Sequence, residues 1–390
     1  MVESVPDANA ASVVGADGPP APWWVYRGDN GHDARSAGET DPIPLPDPPP
    51  WRSFGTNDTG PEVAADAKLP GDRPGEPYSG EFYGDPTVYN LVNAAIYLRR
   101  PLLVTGNPGT GKTTLAKSIA TRLALGPVLR WGITSRSTLR EGLYEYDVLG
   151  RLHDMNLRLN AARGGGTAGE LDARDAREQG RDAGADAGRD AGDDIGSYIR
   201  LGPLGDALLR RPRPRVLLID EIDKGDVDLP NDLLHVFETG AFEIPELRRA
   251  RLNTAKVTPY DGDFGDSVEV RNGLVQCAAF PIVVLTSNGE RAFSAAFRRR
   301  CVPLHLKLPQ RDVLLRIARS RLDDRVRIDE RLLDDYLNRA QRNDGCLFPP
   351  DQLLNALQFR AQVEDQPDCA GQSLDNDLLA TLLFHDLNEG

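Results

Sequence analysis

Residues 106–113 read Gly106-Asn107-Pro108-Gly109-Thr110-Gly111-Lys112-Thr113 and fit the spacing G-x-x-x-x-G-K-[ST]. They sit between a short apolar run, Pro101-Leu102-Leu103-Val104-Thr105, and a stretch in which Leu115, Ile119 and Leu123 recur four residues apart. Strand, tight glycine loop and amphipathic helix are therefore predicted in succession. Glycines at 106, 109 and 111 let the backbone aim successive N–H groups inward, and the positive end of the helix dipole adds to them. With Asn107, Pro108 and Thr110 completing the loop and Thr114 opening the helix, a triphosphate fits. Lys112 can then reach the β- and γ-phosphates while the Thr113 hydroxyl ligates Mg²⁺.

A second feature narrows the reading. Arg215-Val216-Leu217-Leu218-Ile219-Asp220-Glu221 reads as a buried strand ending in two carboxylates, as expected of a central strand in a parallel sheet covered by helices. The C-terminal ends of such strands are where open α/β sheets bind ligands. Asp220 is expected to hold the Mg²⁺ shell through water. Glu221, one residue on, points elsewhere and is expected to activate a water for attack on the γ-phosphate, with Asp223 the next carboxylate should Glu221 not serve. Alone, two acids at a strand end read as solvated; paired with the glycine loop they do not.

A third apolar strand, Phe280-Pro-Ile-Val-Val-Leu-Thr286, ends in Ser287 and Asn288, and the Asn288 amide could orient the attacking water or touch the γ-phosphate. Shortly after comes Ala296-Phe297-Arg298-Arg299-Arg300-Cys301, a guanidinium cluster with Phe297 as apolar anchor. By itself the cluster reads as a helix end placing arginine at its negative pole.

The order glycine loop, Asp-Glu strand, Asn strand and arginine cluster resembles that of the AAA+ ATPases, and the wording resembles their MoxR-like branch. The segments that carry the likeness are Trp131-Gly-Ile-Thr-Ser-Arg-Ser-Thr-Leu-Arg-Glu-Gly-Leu-Tyr-Glu-Tyr-Asp147, Tyr198-Ile-Arg-Leu-Gly-Pro-Leu-Gly205, Ile219-Asp-Glu-Ile-Asp-Lys224, Phe242-Glu-Ile-Pro-Glu-Leu247 and Leu285-Thr-Ser-Asn-Gly-Glu-Arg291. The resemblance implies an α/β P-loop NTPase domain over residues 81–308, a parallel sheet with helices on both faces, followed by a small α-helical lid over 309–362. It implies ATP and Mg²⁺ as cofactors and a hexameric ring in which the arginine cluster of one subunit completes the active site of the next. On this likeness Asn288 resembles the sensor-1 residue and Arg299 or Arg300 the arginine finger. MoxR-like relatives work with von Willebrand A-type partners, which implies a chaperone that remodels a protein partner. A nucleotide-dependent signalling switch in a bacterial conflict or defence system, and a small-molecule kinase, are the alternatives; a kinase would not need the Asn strand and arginine cluster. One departure stands out: the lid stretch Phe348-Pro-Pro-Asp-Gln-Leu-Leu-Asn-Ala356 carries no arginine, Arg342 lies upstream and Arg360 far down the helix.

Four cysteines at 277, 301, 346 and 369 form no C-x-x-C pair, and the histidines show no ligand spacing, so a reducing compartment and no metal beyond Mg²⁺ are expected. The first residues lack a signal-peptide pattern and no apolar run approaches the ~20 residues a bilayer needs, so the expected location is cytoplasmic. A formal net charge of −13 argues against broad capture of nucleic acid. The local clusters Arg210, Arg211, Arg213, Arg215 and Arg248, Arg249, Arg251 read as solvated loops, or else as the lining of a ring pore.

Residues 1–80 are Pro-rich and read as largely irregular, with Asp41-Pro-Ile-Pro-Leu-Pro-Asp-Pro-Pro-Pro50 favouring polyproline II. Trp23, Trp24, Tyr26, Trp51 and Phe54 flank that run, so docking on this chain's own body or on a neighbouring subunit stands beside disorder. Residues 161–195 form a low-complexity insertion of Gly, Ala, Asp and Arg with no apolar stripe, expected to be a flexible surface loop. The alternation at 267–271 followed by Asn272-Gly273 predicts a hairpin. Residues 363–390 read as an acidic tail.

Overall fold

A computed structural model of the chain describes residues 21–28, 43–54, 82–164, 195–262, 265–322, 326, 328–342 and 349–364. The stretch beyond residue 164 expected to be a flexible loop, the tail beyond 364, Phe348 of the lid stretch, Cys346 and Cys369 lie outside the described residues. The strands, in chain order, are β1 Leu102–Thr105, β2 Leu129–Gly132, β3 Tyr144–Tyr146, β4 Ile199–Leu201, β5 Val216–Asp220, β6 Ala241–Glu243, β7 Thr254–Val257, β8 Val268–Arg271, β9 Leu274–Gln276, β10 Ile282–Ser287 and β11 Val302–His305.

Five of them form one parallel sheet in the order β11-β1-β10-β5-β2. The central strands β5 and β10 are buried at every position, whereas the edges β2 and β11 alternate buried and exposed. That difference is why the inner strands read as continuous apolar runs. Pro303, which cannot donate to a ladder, sits on edge strand β11. Successive residues of a strand face opposite sides, so Leu217, Ile219, Val283 and Leu285 enter one core while Val216, Leu218, Ile282 and Val284 enter the other. The chain is thus an α/β fold with a parallel sheet covered on both faces.

Helix α1, Pro86–Leu98, starts where Asp85 accepts the N–H of Val88 at 2.9 Å and proline occupies the first turn. Helix α2, Lys112–Arg122, follows the glycine loop, and Leu115, Ile119 and Leu123 are all fully buried, the face that their spacing predicts. The hairpin β8–β9 forms with Asn272 and Gly273 at φ +52° and +65°, as required of a two-residue primed turn. It belongs to a second, four-stranded sheet of order β6-β9-β8-β7. The three helices Arg311–Arg321, Glu330–Arg342 and Pro350–Glu364 bury Leu314, Leu333, Tyr336, Leu353 and Leu357 in a core of their own.

Part of the N-terminal segment lies on this chain's own body. Tyr26 is fully buried, its hydroxyl 2.8 Å from Ser118 Oγ on α2. Asn93 of α1 clasps the strand-like backbone: its Oδ1 accepts from Val25 N and Tyr26 N, and its Nδ2 donates to the carbonyls of Tyr26 and Tyr89. Further along, Arg99 donates to Pro46 O at 2.8 Å, and Phe54 meets the Phe280 ring with centroids 5.7 Å apart. Trp51, by contrast, is 75% exposed. Proline has no N–H with which to enter a ladder, and here guanidinium groups of the body bond the segment's carbonyls, Arg99 at Pro46 and Arg213 at Ile43.

The arginines just before β5 differ from the expected solvated loop or pore lining. Arg211 pairs with Asp206 at 2.8 Å, Arg213 donates to the carbonyls of Ile43 and Leu123 at 3.0 Å, and the buried Arg215 pairs with Asp261 at 3.0 Å. Cationic forks here clamp the body together because each finds carbonyl or carboxylate partners in reach. Among the described residues no helix is long and apolar enough to cross a membrane.

Candidate phosphate-binding site

The ends of β1, β5 and β10 converge on the glycine loop. Gly109 has φ +77°, and a Cβ there would come within 2.6 Å of Pro350 at the start of the last helix, so both conformation and space demand glycine. Thr110 closes the loop by donating to Asn107 O at 2.8 Å. Lys112 is buried, and its Nζ donates to the carbonyls of Gly106 (2.6 Å) and Asn107 (3.0 Å) and to Asn288 Oδ1 (2.7 Å). Burial lowers the Lys112 pKa below its usual value, against the pull of Asp223, Asp220 and Glu221, which favour the charged form. Residues 176 positions apart in sequence thereby meet at one ammonium group.

Asp220 is the second centre. Its Oδ1 accepts from Thr286 Oγ1 at 2.7 Å and from Thr113 Oγ1 at 3.4 Å, and its Oδ2 from Arg130 Nη2 at 2.7 Å. Thr286 in turn accepts the N–H of Glu221 at 2.8 Å, which ties the end of β5 to β10. Glu221 leaves the strand in the left-handed region, φ +59°, a conformation uncommon for a non-glycine residue and concentrated at functional sites. Its half-exposed carboxylate pairs with Lys224 at 2.9 Å. Hard oxygens of Asp220 and Thr113 at hydrogen-bond separation suit Mg²⁺, which takes one or two carboxylates and completes its shell with water and phosphate.

Arg299 and Arg300 lie after the short helix Ala295–Arg298, anchored by the fully buried Phe297. Neither makes a hydrogen bond or ion pair to the glycine loop, Asp220, Glu221 or Asn288 within this chain. Arg100 holds their two carbonyls, and the Arg300 guanidinium is engaged by Glu238 and by Ala296 O. Arg299 is exposed, and among the described residues its guanidinium has no partner. Arg360, far down the lid helix, pairs with Asp329 within the lid.

Three contributors escape sequence reasoning. Arg130 is one charge on an alternating edge strand; the register of β2 against β5 sets it beside Leu218, two residues before Asp220 on the same face, from where its side chain reaches the Asp220 carboxylate. Thr286 and Lys224 are short-range partners whose residue types carry no signal of their own.

A family model described as the AAA domain, dynein-related subfamily, matches residues 101–301. No curated protein matches the chain. Among solved structures, domain III of the Thermotoga maritima replication initiation protein DnaA is similar at 16% identity, with 77% of this chain and 93% of that chain covered and a TM-score of 0.34. The FIGL-1 AAA domain in complex with ADP is similar at 15% identity, with 75% of each chain covered and a TM-score of 0.31.

Proposed function

Since this chain belongs to the AAA domain family, in its dynein-related subfamily, we propose that it binds and hydrolyses ATP with Mg²⁺, as a MoxR-like ring-forming chaperone that remodels a protein partner. The observation that carries this reading is the meeting of Lys112, Asn288, Thr113 and Asp220 at the ends of three strands. Lys112 would exchange its loop carbonyls for β- and γ-phosphate oxygens, and backbone N–H groups of 107–113 would cradle the rest. Thr113 and Asp220 would hold Mg²⁺, which when bound neutralises charge on the phosphates. Asn288, already beside Lys112, would orient the water or the γ-phosphate, and Glu221 would take the proton from that water once released from Lys224.

What the chain keeps apart supports the proposed ring. Neither Arg299 nor Arg300 makes a hydrogen bond or ion pair with its own phosphate loop, and the Arg299 guanidinium, without a partner among the described residues, would be free to enter a neighbour's site, whereas Arg300 would first have to leave Glu238. A von Willebrand A-type protein is the proposed partner class. The ion pair of Glu221 with Lys224 favours the second reading, a nucleotide-held switch in a conflict or defence system, because hydrolysis has to wait on its release.

Two variants separate binding from chemistry. Lys112→Ala should abolish ATP binding measured by titration calorimetry. Glu221→Gln should retain binding and lose phosphate release. Hydrolysis by Glu221→Gln at the parent rate would remove Glu221 from the base role.

A further inference from the structure

Asp223 lies in the short turn Ile222–Lys224, three residues beyond Asp220, and is only 3% exposed. A buried carboxylate is costly unless hydrogen bonds satisfy it. Here its Oδ2 alone accepts four: from Ser287 Oγ at 2.9 Å and from the N–H groups of Asn288 (2.9 Å), Gly289 (3.0 Å) and Glu290 (3.1 Å). Three successive backbone donors converging on one oxygen form an anion nest, and Gly289 supplies the left-handed residue it needs at φ +85°. The other oxygen, Oδ1, is buried and has no hydrogen-bond partner.

This one-sided bonding has two consequences. Oδ2 is taken up by four donors and Oδ1 is buried away from solvent, so neither oxygen is placed to take a proton from an attacking water, and Asp223 does not suit the spare-base role that its place in the sequence allows. All of its hydrogen bonding is instead directed at the loop 287–290. That loop carries Asn288, whose N–H is held by Asp223 while its Oδ1 accepts from Lys112 Nζ at 2.7 Å. A chain of contacts thus runs from the turn after β5, through the end of β10, to the phosphate loop. Asp223, with Asp220 and Glu221, favours the charged form of Lys112 against its burial.

We propose that Asp223 is the positioning residue for Asn288, fixing the loop 287–290 so that the Asn288 amide stays registered against Lys112; this rests on the reading of Asn288 as part of an ATPase site. In this role the carboxylate acts through the nest, on the loop that carries Asn288.

The test uses the full chain. Hydrogen exchange of the wild type should find the amides of Asn288, Gly289 and Glu290 slow, and Asp223→Asn should release all three. Turnover of Asp223→Asn should fall about 10- to 100-fold, the range for partners that orient a functional group, with ATP affinity unchanged. In an Asn288→Ala background the same substitution should cost almost nothing further, because the amide it positions is gone. Fast exchange of these amides in the wild type overturns the proposal, as does an equal turnover loss in both backgrounds. The wild-type arm needs no variant, so a folding failure of Asp223→Asn leaves the proposal open to refutation. If the wild type releases no phosphate at all, the ATPase reading fails, and the exchange arm still decides whether Asp223 holds the loop.

Discussion

At the residue scale the site is a set of oxygens contested by cations. Asp220 meets Arg130 on one oxygen and the hydroxyls of Thr286 and Thr113 on the other. The Arg130 side chain is 62% exposed, so its ion pair contributes at most ~1 kcal/mol to folding. Its larger effect should be on metal. A guanidinium and Mg²⁺ compete for the same carboxylate, so Arg130→Gln should lower the Mg²⁺ concentration needed for half-maximal ATP binding while leaving thermal stability near the parent value. A Mg²⁺ titration monitored by a fluorescent ATP analogue measures this, and an unchanged midpoint would count against competition at Asp220. Glu221 and Lys224 show the same logic one turn away, a carboxylate engaged by a neighbour at 2.9 Å.

Among elements, the one most open to test is the N-terminal strap of residues 21–28. Asn93 spends its whole amide on that segment and on Tyr89 O, inside a helix face that is otherwise apolar. Asn93→Ala leaves two backbone N–H groups and two carbonyls without that partner and should destabilise the chain by ~1–3 kcal/mol. Limited proteolysis should then cut near Tyr26 earlier than in the wild type; an unchanged cleavage pattern would mean the strap is held by its aromatic rings instead. Elements differ in how legible they are from sequence, for physical reasons. The glycine loop, β5 and β10 are legible because their constraints are local: spacing, left-handed glycines and runs buried on both faces. The covered parallel sheet follows from them. Asn93 in an apolar helix, Tyr26 beside prolines and Arg215 among surface-like arginines take their meaning from partners 46 to 92 residues away, which no local pattern encodes. Asp223 is the same case at the site: a third acid after Asp220 and Glu221 looks solvated until the nest at 288–290 is folded against it.

At the scale of the whole molecule the proposed active site is shared between subunits. The two core layers hold the sheet, the three-helix lid meets the glycine loop at Pro350, and the arginines at 299 and 300 are held by Arg100 away from their own phosphate loop. Such a chain should be nearly inactive as a monomer, since an arginine finger supplied by a neighbour contributes roughly 10³–10⁵ in turnover. With its guanidinium unpaired among the described residues, Arg299 is the stronger candidate over Arg300, which Glu238 and Ala296 O engage. The most direct test is phosphate release from a mixture of Arg299→Ala and Lys112→Ala chains, each inactive alone. The shared site predicts that mixing restores part of the activity, and that wild-type activity per subunit falls on dilution as rings dissociate. No rescue although mixed oligomers form, with activity per subunit flat into the monomer range, would contradict it.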